Sequence, residues 1–67
     1  MNLKDLRIKS NLSQAELAER AGISQGYLSS LERGEKQPTL PVLKRLASAL
    51  GISVSALIDD NKPRKAG

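Results

Sequence analysis

Between Ser13 and Gly34 (SQAELAERAGISQGYLSSLERG) the chain carries two helix starts with a turn glycine between them, and nothing else in it restricts the fold so tightly. Ser13 can accept a hydrogen bond from the free backbone N–H groups of a helix that begins after it. Glu16, three residues on, can reach back to the Ser13 N–H, which makes a capping box. Leu12 and Leu17 occupy the two hydrophobic-staple positions around that cap. Ser24 repeats the scheme with Ile23 and Leu28 as its staple, without the glutamate. Gly22 tolerates the left-handed backbone that turns the chain directly after the first of these helices. Ala15, Leu17, Ala18 and Ala21 supply the small or apolar side of one helix, Leu28 and Leu31 that of the other. Ala18 is small enough for the two to approach closely. The pattern predicts helix, turn, helix, with the start of the second helix at Gln25 held out from the body.

The flanks extend this reading. A first helix is predicted from about Leu3 to Ser10, capped by Asn2, with Leu3 and Leu6 inward and Ile8 packing at the side. Asn11 stands where a glycine would usually end such a helix, and Asn is the next best residue for a left-handed conformation. Arg33 to Pro38 reads as a loop from its Gly, Pro and charge. Thr39 caps a fourth helix with Pro41 tolerated in its first turn. Leu40, Leu43, Leu46, Ala47 and Leu50 form its apolar stripe, and Gly51 ends it. Ser53 caps a short fifth helix with Ile52 and Leu57 as staple, and residues 61–67 (NKPRKAG) read as a frayed basic tail. No strand signal or internal repeat is convincing. The expected fold is all-α: a compact five-helix domain over residues 1–60, followed by a flexible tail at 61–67.

Composition narrows what such a domain does. Sixty-seven residues support one small domain. Aromatic residues are only 1% against 39% hydrophobic, so the core must be aliphatic. The chain has no Cys and no His, which removes disulfides, thiolate metal sites and the commonest general base and zinc ligand. Its serines have no evident base nearby in sequence and several have capping roles, so an enzyme reading has no support and no cofactor or metal is expected. No stretch approaches the ~20 apolar residues of a membrane span. The start, MNLKDLRIKS, lacks the apolar core of a signal peptide, so a cytoplasmic location is the expectation. Net charge is +4, which invites a nucleic-acid reading, yet Lys62, Arg64 and Lys65 sit in the tail. Without them eight basic residues face seven acidic ones, so the argument must rest on where charges lie.

Several segments together resemble the helix-turn-helix of the Cro and phage-repressor (Xre-like) family: Gln14-Ala-Glu-Leu-Ala, Ala21-Gly-Ile-Ser24 and Tyr27-Leu-Ser-Ser-Leu-Glu-Arg-Gly34. The continuations Pro38-Thr-Leu40 and Leu46-Ala-Ser-Ala-Leu-Gly-Ile-Ser-Val54 resemble that family's fourth and fifth helices, so the match covers roughly residues 2 to 58. The resemblance implies a lambda-repressor-like fold and a recognition helix beginning at Gln25, whose N-terminus enters the major groove of DNA.

Candidate contacts follow from chemistry weighed with that resemblance. The Gln25 amide can pair bidentately with adenine N6 and N7; the plain alternative is a solvated polar residue at a helix start. Gly26 departs from the longer polar residues usual at this position in the family. It either lets a base or thymine methyl approach the backbone closely or marks a weakly specific reader. Tyr27, the one aromatic residue, is read as a phosphate, sugar or base contact, with packing over the second helix as the alternative. Ser30 is within reach of a base edge, and Ser29 is less well placed. For the DNA backbone, the resemblance implies a phosphate contact at Gln14, aided by the helix end. Ser24 joins it, and Arg33 and Lys36 are the cationic phosphate candidates. Lys44 and Arg45 are read as solvated. By resemblance, Arg7 pairs with Glu32 in a bridge whose role is structural.

The expected function is sequence-specific binding of double-stranded DNA by a domain that is itself the whole protein. It would act as a transcriptional regulator, most often a repressor, working as a homodimer on a pseudo-palindromic operator. A protein co-regulator is a further expected partner. The rival is a protein-interaction module such as an antitoxin, since fold does not settle function. Ala56, Leu57 and Ile58 hint at the exposed apolar face it would need, and a homodimer interface explains them equally well. A basic amphipathic membrane binder is disfavoured by the near-neutral body and the lack of aromatic anchors.

Overall fold

The computed structural model describes residues 2–59, all of whose regular elements are helical: α1 (Leu3–Lys9), α2 (Gln14–Ala21), α3 (Gln25–Glu32), α4 (Leu40–Leu50) and α5 (Val54–Asp59). The tail expected at 61–67 lies outside the described residues. Three of the four junctions share one local grammar. A left-handed residue is followed by a buried or half-buried aliphatic residue and then by a serine cap: Asn11-Leu12-Ser13, Gly22-Ile23-Ser24 and Gly51-Ile52-Ser53. In each, the N–H of the aliphatic residue bonds back five positions, Leu12 to Arg7 O, Ile23 to Ala18 O and Ile52 to Ala47 O, at 3.0 to 3.2 Å. That bond closes the preceding helix in a Schellman motif, satisfying carbonyls that would otherwise be orphaned. The serine then starts the next helix by accepting an N–H three residues on, at 3.0 Å in all three cases (Glu16, Tyr27, Ala56). Glu16 Oε1 completes the capping box with the Ser13 N–H at 2.8 Å. The junction between α3 and α4 opens the same way, with left-handed Gly34 and the Glu35 N–H bonded to Ser30 O, but has a charged residue in place of the aliphatic one and runs on to the Thr39 cap.

Caps place the helices, and aliphatic side chains bind them together. Leu17, Leu28, Leu46 and Leu57, one each from α2, α3, α4 and α5, are completely buried. Leu3, Leu12, Ala18, Ala21, Leu31 and Ala47 close the core around them. α2 lies against both α3 and α4, α5 packs on α4, and α1 meets α3. Burying one such leucine contributes about 1.5–3 kcal/mol.

Four expectations are corrected. α1 ends at Lys9, and Ser10 is its C-cap. Asn2 makes no side-chain cap; its Nδ2 donates instead to Asp5 Oδ2 at 2.9 Å, which occupies the amide with a neighbouring side chain. Ile8 is 54% exposed because it lies round the turn from Leu3 and Leu6. Leu40 is 56% exposed rather than part of the α4 stripe. Helical side chains lean toward the N-terminus, so a residue in the first turn overhangs the preceding loop instead of the core.

Candidate nucleic-acid interface

Two caps, one clamp and one folded-back loop determine what α3 presents. Its first turn begins at Ser24, whose Oγ is taken by the Tyr27 N–H. The N–H groups of Gln25 and Gly26 lie in the part of a helix that has no intrahelical acceptor, where they carry the partial positive charge of the helix start. Both residues are exposed. A Cβ built on Gly26 would meet nothing within 4 Å, and its backbone φ is not left-handed. No neighbour within the protein requires this glycine. Ser29 and Ser30 are half-buried further along the helix.

Tyr27 has a packing role. Leu28 and Leu31 do not exhaust the inward side of α3, because Tyr27 is half-buried and packs against the core. The loop after α3 folds back, so that the Lys36 ammonium lies 5.9 Å from the Tyr27 ring centroid, a cation–π distance. Lys36 therefore stands beside the first turn of α3. Arg33 is the C-cap of the same helix, and its guanidinium reaches back to Ser29 one turn earlier.

Arg33 is engaged within the protein. Its Nε and Nη2 donate to the two carboxylate oxygens of Glu35, each at 2.9 Å, and its Nη1 donates to Ser29 Oγ. Gly34, in the left-handed conformation between the two charged residues, allows the Glu35 N–H to bond back to Ser30 O at 2.9 Å. The fork with Arg33 holds the Glu35 carboxyl below the usual glutamate range and raises the Arg33 guanidinium above its ordinary value.

The angle of α3 is held from behind. Arg7 Nε donates to Glu32 Oε2 at 2.7 Å and Arg7 Nη2 to Glu32 Oε1 at 3.3 Å, while Arg7 Nη1 donates to Leu12 O at 2.9 Å. Gln14 Nε2 adds a third donor to Glu32 at 3.0 Å. The two charged side chains are only 12% and 4% exposed, so this cluster ties α1, the turn before α2, the first residue of α2 and the end of α3 at one point. Gln14 thus spends one amide N–H inside the protein and keeps the other. Sequence reasoning had no access to the Gln14–Glu32 bond, since eighteen positions separate the partners and nothing local marks them. Arg33 and Glu35, by contrast, are opposite charges flanking a turn glycine, a pairing signal that lies within three residues. Arg45 stays exposed on α4, with Nη1 3.7 Å from where a Cβ on Gly22 would stand. Leu57 is wholly buried, which corrects its place in the suspected apolar face; Ala56 and Ile58 are exposed.

Among the described residues no cluster of His, Cys, Asp or Glu fits a metal ion, and no helix is long and apolar enough to cross a membrane.

Comparison with known proteins gives concordant results. A family model described as helix-turn-helix matches residues 3–57. The chain is 49% identical over 57 residues to an uncharacterized HTH-type transcriptional regulator, y4dJ, of Sinorhizobium fredii, covering 85% of this chain and 74% of that protein. It is 41% identical over 58 residues to the immunity repressor protein of Bacillus phage phi105, covering 87% of this chain but only 40% of the repressor. Among solved structures, the restriction-modification controller protein C.AhdI from Aeromonas hydrophila superposes with a TM-score of 0.82 at 36% identity, covering 84% of this chain and 85% of that one. The N-terminal DNA binding domain of SinR from Bacillus subtilis gives 0.81 at 35% identity, with 91% and 90% covered.

Proposed function

This chain belongs to the Xre-like helix-turn-helix family of DNA-binding transcriptional regulators, and from that premise we propose that it binds a specific operator in double-stranded DNA as a repressor. The observation that carries the reading is the first turn of α3. Gln25 and Gly26 are exposed there on a helix end whose angle is held by the Arg7–Glu32–Gln14 clamp. In the proposed complex Gln25 reads an adenine edge, Gly26 lets the duplex approach the backbone, and Tyr27 and Ser30 border the contact. Gln14, Ser24, Arg33 and Lys36 touch phosphates, supplying affinity that falls with salt. The domain spans residues 1–60 and acts as a homodimer, with two recognition helices about 34 Å apart on a pseudo-palindromic site. The exposed Ala56 and Ile58 on α5 are the proposed dimer contacts. A protein co-regulator remains part of the proposal, supported by the likeness to a SinR protein/SinI protein complex (TM-score 0.82, 33% identity).

The test is selection of bound duplexes from a random pool with purified protein, repeated with Gln25→Ala. A two-fold symmetric enriched site, with preference at one position per half-site relaxed by about 1–3 kcal/mol in the variant, supports the assignment. Undiminished preference in the variant refutes Gln25 as the reader, and no enrichment at moderate salt favours a protein partner instead.

A further inference from the structure

The loop after α3 holds three charges whose arrangement the DNA-binding reading does not use. Arg33 and Lys36 are cations near the proposed interface, and Glu35 sits between them in sequence. Glu35 is the bidentate partner of Arg33, and Lys36 also acts on its carboxylate through space. Both members of the Arg33–Glu35 pair are 55% exposed. The carboxylate is therefore not needed to satisfy a buried cation, as Glu32 is for Arg7. An exposed pair of this kind adds little to stability. A carboxylate placed beside a polyanion, however, opposes binding through the same long-range field that the cations supply.

The geometry also settles which part of Arg33 remains available. The guanidinium has five N–H donors, of which Glu35 takes two and Ser29 one. One N–H on each terminal nitrogen is left, so a phosphate can engage Arg33 without expelling Glu35. Glu35 then stays in place and cancels one positive charge at the site. Losing the fork would free some side-chain motion in Arg33, but on a half-exposed residue that effect is smaller than removing a whole negative charge from the edge of a duplex.

We infer that Glu35 is an electrostatic attenuator of DNA affinity: it holds Arg33 as a near-neutral pair, so that the loop meets the duplex with one net positive charge instead of two. The inference rests on the DNA-binding reading above. Because phosphate attraction carries no sequence information, the attenuator lowers occupancy of non-specific DNA and leaves base discrimination to α3.

The experiment compares wild type with Glu35→Gln, which keeps size and polarity and removes the charge. Binding to a labelled mixed-sequence duplex of about 20 base pairs, long enough for two half-sites, is followed by fluorescence anisotropy. Salt is varied from about 50 to 200 mM. Thermal melting of both proteins confirms an intact fold. The expected result is a gain of about fivefold in affinity at the lowest salt, the size of one exposed ion pair. The slope of log K against log salt should steepen by roughly 0.9, the contribution of one more phosphate neutralised. In the Arg33→Ala background most of the gain should persist, because the carboxylate repels phosphates whether or not a cation is paired with it; a gain that vanishes with Arg33 would assign the effect to freeing that side chain and overturn the attenuator. Wild-type binding with an equal or weaker Glu35→Gln affinity overturns the attenuator and leaves the DNA-binding reading standing. Failure of both proteins to bind at any salt overturns the two together.

Discussion

Gly26→Ala separates what the fold needs from what the proposed interface needs. Glycine inside a helix is about 0.8–1.0 kcal/mol less favourable than alanine, through the backbone freedom it loses on folding. That gain is realised only where the new methyl meets no obstacle. Here the added Cβ has nothing within 4 Å, and the backbone is ordinary right-handed helix. Near a helix start part of the propensity is forfeited, so the expected stabilisation is about 0.5–1 kcal/mol. For a domain of this size that corresponds to a rise in Tm of about 3–6 °C. Circular dichroism melting and urea titration measure it; the urea midpoint should rise with m unchanged. Affinity for the selected duplex should fall by roughly tenfold, because a methyl now occupies the surface to which the duplex closes. An unchanged or lowered Tm would refute the structural reasoning, since it would mean that the glycine serves a packing or backbone need. A raised Tm with undiminished affinity would refute close approach at Gly26 and leave it as a sign of weak specificity.

Other substitutions probe the remaining parts. Glu32→Ala strands the nearly buried Arg7 guanidinium and the Gln14 amide, and should cost about 3 kcal/mol in urea titration. Replacing Arg7 by Met and Glu32 by Leu together should recover much of that loss. Lys36→Ala should weaken mixed and selected duplexes alike and flatten the salt slope by about 0.9. The Glu16 carboxyl is held below its ordinary value of 4.5, first by the Ser13 N–H and then by the Ser13 hydroxyl. A depressed folded value contributes stability above the unfolded value that is lost as pH falls through the folded one. Stability should therefore decline on acidification below about pH 4.5, and the Glu16→Gln variant should show a shallower decline.

How much could be read in advance depended on the distance over which each interaction acts. Caps and helix ends span three to five positions, so Ser13, Ser24, Thr39 and Ser53 announce their helices within a window of a few residues. The left-handed Asn11, Gly22 and Gly51 are legible for the same reason. Burial was less so. Periodicity places Leu40 on a stripe, but whether a first-turn residue finds a neighbour depends on where another helix ends. Leu57 reads two ways, as the staple partner of Ile52 and as part of an apolar face with Ala56 and Ile58, and the fold decides between them by turning it completely inward.

The sequence by itself determined five helices and their punctuation, because capping, turn chemistry and apolar spacing are local and each agrees with its neighbours. It also determined that Gln25 opens a helix. Only the tertiary structure decided how the charges around that helix are spent. Lys36 lies beside Tyr27 because a loop folds back, and Gln14 is shared with Glu32 across eighteen positions. Charged side chains are long and reach partners that packing brings to them. The composition of a surface is therefore written in the chain, whereas its effective charge is a property of the folded molecule.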